Sequence, residues 1–129
     1  MKEQLVLASA SPRRAEILRA VGWPIEAAPV NIAEERGESE SAVAYVERLA
    51  REKAEAAAAG RERGLVLGAD TTVVVEGRVL EKPRDEEDAR RMLRLLSGRW
   101  HEVLTGVALL RAGAGRRLLV AHERTEVLF

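Results

Sequence analysis

LVLGADTTVVV, residues 65–75, is a run of apolar residues broken only by one acid and two threonines. Its length and β-branched content read as a central strand buried on both faces, which predicts a sheet with helices packed against it. Asp70 is the anomaly in that reading, because a carboxylate among side chains that exclude water is costly unless it is compensated. Either a salt bridge inside the fold or a frayed strand end accommodates it, or it faces a metal, a cation or a water network. Gly68 marks a point where a ligand or another backbone comes close. Thr71 and Thr72 add hydroxyls beside the acid.

Downstream of this strand, Glu76-Gly77 makes a turn and residues 78–80 pair back. Asp85 caps a helix, DEEDARRMLRLLSG, that Gly98 closes and that is expected to combine core packing with a charged outer face. Two β-prone runs, 101–111 and 117–129, flank the hairpin loop AGAGRR. Upstream, residues 4–9 read as a strand, followed by Ser11 as N-cap and Pro12 at the first helical position. Ala15, Ile17, Leu18 and Val21 give this first helix an apolar side. Residues 25–30 are expected to form a second short strand and 31–41 a polar loop. Ser39 or Ser41 caps a long helix to about Ala59, with Val43, Val46, Leu49, Ala50 and Ala57 as its buried stripe. Helices separated by strands make the fold class α/β, or mixed α+β, in a single domain spanning 1–129.

The chain has 129 residues, 47% of them hydrophobic, with 21 basic and 21 acidic side chains and no cysteine. Charge balance argues against wholesale binding to nucleic acid or an anionic membrane, and thiolate or disulfide chemistry is excluded. The opening residues hold too short an apolar stretch for a secretory signal, and no run reaches membrane-spanning length, so the expected location is cytoplasmic. The chain stops at TEVLF inside a β-prone run, as a fragment would. An exposed terminal strand can pair with a second copy, which leaves a homodimer open.

LVLASASPRR, residues 5–14, carries Arg13 and Arg14 in the first turn of a helix, where the macrodipole disfavours cations. Two readings stand. The arginines are solvated, or an anion is held there by backbone N–H groups, the Ser9 and Ser11 hydroxyls and the guanidinium forks. The chain writes Arg by habit and has only three lysines, Lys2, Lys53 and Lys82. Lys53, on the apolar stripe of the long helix, either snorkels to water or partners a phosphate or a carboxylate. The same choice applies to Lys82 in the loop EKP. Glu34 and Glu35 are metal-ligand candidates only if their loop folds toward Asp70. His101 and His122 share no metal spacing and read as structural or surface groups.

LASASPRR, the lysine in AREKA, GADTTV, EKP and SGRWHEVLTG follow one another in an order that resembles the Maf family of septum-inhibition-related nucleoside triphosphate pyrophosphatases. The resemblance implies a twisted mixed sheet with flanking helices and a central cleft, like that of the inosine-triphosphate pyrophosphatases. It implies hydrolysis of a nucleoside triphosphate to the monophosphate and pyrophosphate with a divalent cation, Mg²⁺ or Mn²⁺. Residue by residue, it makes Asp70 the proton acceptor, places Ser9, Ser11, Arg13, Arg14, Lys53 and Lys82 at the phosphates, and offers Glu34 and Asp70 to the metal. Arg13 and Thr71 match the branch acting on dTTP and UTP rather than the 7-methyl-GTP branch. Family members continue past TEVxF through a helix and a segment resembling DKAGAYGIQG, which this sequence does not contain. The competing function is a nucleotide-sensing regulator of cell division that binds a triphosphate without hydrolysing it.

Overall fold

The computed structural model describes residues 3–129. Its elements run β1 (Leu5–Ala8), α1 (Pro12–Ala20), β2 (Ile25–Ala27), α2 (Ala42–Ala58), β3 (Leu65–Val75), β4 (Arg78–Leu80), α3 (Glu86–Leu96), β5 (Trp100–Arg111) and β6 (Arg117–Leu128). They build one six-stranded mixed sheet in the order β2-β1-β3-β5-β6, with β4 also paired to β3. The class is the expected one, with β3 at its centre.

The strand β3 has two differently covered edges. One is paired continuously with antiparallel β5, from Leu65 opposite Arg111 to Val74 opposite Glu102. The other is shared between parallel β1, which ends where Ala8 meets Gly68, and β4, which begins where Val73 meets Leu80. Between these two partners a notch is left along residues 69–72. The sheet is therefore open at the carboxyl end of β1, the usual position for a ligand in α/β sheets.

Helix α2 covers one face of the sheet. Ser41 is its N-cap, with Oγ accepting from the Ala44 amide at 3.1 Å. It buries Tyr45, Val46, Leu49, Ala50 and Ala54, a stripe rotated slightly from the expected one, so that Val43 and Ala57 are only half-buried. Two glycines set how deep the helix lies. A Cβ on Gly68 would run into the Ala50 carbonyl oxygen, and a Cβ on Gly106 into that of Val46. Helix backbone thus rests directly on sheet backbone, above a core of Val6, Ala8, Val66, Ala108 and Leu110.

Three expectations are corrected. Strand β2 stops at Ala27 rather than residue 30, because the last ladder bond, from the Ala28 amide to the Leu7 carbonyl (2.8 Å), is followed by Pro29, which has no N–H to donate. Helix α3 does not pack into the core. It lies beside the cleft, burying only Asp88 and Leu96 and leaving Leu93 51% exposed. Of the apolar side of α1, Ala15 alone is buried, while Ile17 and Val21 are exposed.

Candidate active site

Burial of α2 on the sheet carries Lys53 to the notch in β3. Its Nζ lies 3.0 Å from Asp70 Oδ1 and 3.0 Å from Glu34 Oε1. Lys82 closes the group, donating from Nζ to Glu34 Oε2 at 2.6 Å. Two carboxylates and two ammoniums alternate along this chain, so the cluster is neutral as a whole although Asp70 and Lys53 are only 9% and 14% exposed at their side chains. Lys53 therefore does not snorkel. The 31–41 loop folds toward Asp70, which brings Glu34 to the site, whereas Glu35 is exposed.

The carboxylates are driven in opposite directions. Burial pushes the Asp70 carboxyl above its ordinary value of 3.8 and outweighs the opposing hydrogen bond and charge of Lys53, while Glu34 adds a further push upward. Glu34 is also raised by burial, but the hydrogen bonds from Lys82 and Lys53 prevail and hold it below its ordinary value. One member of the pair is thus the stronger base and the other a firmly ionised acceptor.

Asp70 and Thr71 point to opposite faces of β3, as alternation requires. On the second face Thr71 Oγ1 accepts from Arg14 Nη2 at 2.9 Å and lies 3.0 Å from Thr105 Oγ1. Arg14 Nη1 also donates to Ser9 Oγ at 3.1 Å, and that oxygen accepts from the Ser11 amide at 3.2 Å. Ser11 is the α1 N-cap, its Oγ accepting from the Arg14 amide at 3.4 Å. Of the arginine pair it is Arg14 that reaches the sheet. Arg13 is exposed, because neighbouring helical residues point about 100° apart and only one of them can face the strands.

Two cavities meet at the cluster. A cleft of about 450 Å³ is lined by Asp70, Thr71, Thr72, Tyr45, Met92 and Leu96 among others, a volume in the range of small-molecule sites. A smaller cavity of about 160 Å³ is lined by Ser9, Val30, Asn31, Ile32 and Lys53 among others. Glu34 and Lys82 line both, so the cavity at the serine turn and the cleft at the acid lie on either side of this pair. Neither Ser11 nor the two arginines line these cavities. Among the described residues no three His, Cys, Asp or Glu side chains converge as a metal-binding group. Glu34 and Asp70 are the two carboxylates brought together, each 3.0 Å from Lys53 Nζ, and hard oxygen donors of this kind are the ones Mg²⁺ and Mn²⁺ take, usually one or two carboxylates at a time. His101 is buried in β5, and His122 pairs with Glu47 (3.2 Å), both away from this cluster.

Lys53 offers a direct test of the electrostatics. It is the principal influence lowering the Asp70 carboxyl, and its removal leaves burial and Glu34, which both raise it, against only the smaller opposing charge of Lys82. Lys53→Gln is therefore expected to move the titration of the Asp70 carboxyl, followed by its carbon-13 chemical shift, to higher pH. An unshifted titration would show that Lys53 does not set the acidity of Asp70.

Residues 4–129 match the family model described as Maf-like protein. A relative from Symbiobacterium thermophilum, the dTTP/UTP pyrophosphatase, is 52% identical over 127 residues, covering 98% of this chain and 64% of its own length. Its namesake from Escherichia coli O157:H7 is 56% identical over 126 residues, covering 97% and 62%. The chain thus spans a little under two thirds of the curated relatives it matches. Among solved structures, the Staphylococcus aureus Ham1 protein superposes with a TM-score of 0.64 at 15% identity over 96% of this chain and 70% of its own. A dITP/XTP pyrophosphatase from Mycobacterium abscessus gives 0.54 at 18% identity, over 95% and 72%. At these identities the likeness is one of fold.

Proposed function

The chain belongs to the Maf family, and from that premise we propose that it hydrolyses dTTP and UTP to the nucleoside monophosphate and pyrophosphate. The observation that carries this reading is Lys53 lying 3.0 Å from both Glu34 and Asp70 at the open notch of β3. The relatives' names supply the substrate class.

In this reading the triphosphate lies between the serine turn and the notch. Ser9, Lys53 and Lys82 face its oxygens, with Ser11, Arg13 and Arg14 lending charge and amide dipoles from the start of α1. Asp70, made more basic by burial, takes a proton from a water whose oxygen bonds to the α-phosphorus. The bond from that phosphorus to the oxygen bridging it to the β-phosphorus breaks, and pyrophosphate leaves with the electron pair. The lysines stabilise charge growing on the leaving group. Glu34 and Asp70 would hold Mg²⁺ or Mn²⁺, which supplies charge neutralisation at the phosphates when bound. Arg13 and Thr71 are assigned to substrate selection, with Thr71 fixed by Arg14. Cytoplasmic location suits a nucleotide substrate, and the 12-residue edge strand β6 is the surface through which a homodimer would pair.

The test is pyrophosphate release from dTTP, UTP, GTP and 7-methyl-GTP with Mg²⁺ or Mn²⁺. Release from dTTP and UTP, with at least tenfold less from the guanine nucleotides, is expected. Saturable dTTP binding without release overturns the hydrolase in favour of a nucleotide-sensing regulator of division.

A further inference from the structure

Glu34 belongs to a segment, 28–41, without helix or strand, yet its carboxylate is placed within 3 Å of two ammoniums. Those lysines cannot be what fixes it during reaction, because an arriving triphosphate competes for both. The fixed points are on α2. Tyr45, 6% exposed, donates from Oη to the Glu34 carbonyl oxygen at 3.1 Å. One turn on, Arg48 Nη2 donates to the Glu35 carbonyl oxygen at 2.7 Å, and Nε and Nη2 grip the two Glu40 carboxylate oxygens at 2.8 and 3.0 Å. Glu40 Oε1 in turn accepts from the Gly37 amide at 3.1 Å, so the loop is folded around that carboxylate. Arg48 Nη1 is held by Glu52 at 2.7 Å, and the guanidinium lies 5.6 Å from the Tyr45 ring, which fixes the fork before it meets the loop.

We propose that Tyr45 and Arg48 are positioning residues that hold the Glu34 carboxylate ready for a divalent cation arriving with the nucleotide. The inference rests on the reading of the site given above. Groups that orient a metal ligand without touching the metal commonly govern affinity by about 10- to 100-fold. Lysine cannot replace the fork, since it offers one point charge where Arg48 serves four acceptor oxygens on three residues.

The experiment uses the full chain and the variants Tyr45→Phe and Arg48→Lys. Mn²⁺ binding is read by water-proton relaxation in the presence of a non-hydrolysable α,β-imido analogue of dTTP, and amide exchange at Gly37 and Glu40 is read by NMR. Both variants are expected to bind Mn²⁺ at least about tenfold more weakly. Arg48→Lys should also exchange the Gly37 and Glu40 amides about tenfold faster, while the amides of β3 and β5 keep their protection. A purely structural role would lower the melting temperature and leave the Mn²⁺ affinity of the folded fraction unchanged. Faster exchange at Gly37 beside wild-type Mn²⁺ affinity overturns the inference alone. A wild-type chain that binds no Mn²⁺ with the analogue overturns the reading of the site, and the positioning role with it.

Discussion

Asp70→Asn is expected to cut pyrophosphate release from dTTP by roughly 10²- to 10⁴-fold, the span that a positioned general base contributes, while the protein stays folded. Asparagine keeps the shape of the side chain and one acceptor for Lys53, whose second partner, Glu34, is untouched. The stability argument has a definite sign. The Asp70 carboxyl titrates above its unfolded value in the native state, so its contribution to stability is full below the unfolded pKa and is lost as pH rises through the folded one. At neutral pH the wild-type protein carries that penalty, and the amide does not. Thermal denaturation of Asp70→Asn should accordingly match or exceed the wild type near pH 7 and lose that advantage in acid. Release at close to the wild-type rate would show that a different group accepts the proton.

The second large effect concerns architecture. Gly106→Ala is expected to destabilise the chain by about 3 kcal/mol, near the upper end of ordinary overpacking costs, and to lower Tm by on the order of 10 °C. The added methyl meets the Val46 carbonyl oxygen, and helix backbone cannot rotate aside as a side chain can. Gly68→Ala presses on the same helix one turn further along, at Ala50 and Ala54. Both substitutions are relieved by one movement, a lift of α2 off the sheet. The double variant should therefore lose less than the sum of the two single losses, a coupling that calorimetry on the four proteins would read. Strict additivity would mean that each collision is absorbed locally, without displacement of the helix.

Periodicity carried most of the architecture in the amino-acid sequence. The limits of β3, the β3–β4 turn and the β5–β6 hairpin follow from apolar runs and from Glu76-Gly77 and AGAGRR, because strands and tight turns are specified by neighbours in the chain. The close approach marked by Gly68 is to the backbone of α2, and Gly106 bears the same mark in the middle of WHEVLTGVALLR. Less legible were contacts that depend on where elements lie in three dimensions. The α3 pattern of apolar and charged residues suits a core helix as well as a cleft wall, and only the fold distinguishes them. Sequence pairs Arg13 with Arg14 on equal terms, and the phase of α1 selects Arg14. Glu34 lies in a segment with no periodicity at all. Its route to Asp70 is written in Tyr45 and Arg48, two residues whose helical spacing reads as ordinary α2 surface until the loop is in place.

The split edge of β3 also bears on the order in which the molecule assembles. Its partner β4 returns through a two-residue turn, β5 comes back after the single helix α3, and β6 follows β5 across a short loop, whereas register with β1 joins Leu5 to Leu65 across the whole of α1 and α2. Closing a long loop before any contact rewards it is the slow step in such topologies. Loop-closure entropy therefore favours pairing within the unit from β3 to β6 before β1 docks against β3. The serine turn follows β1 directly, so the smaller cavity, which Ala8, Ser9 and Ala10 line, takes shape only once that strand is in place.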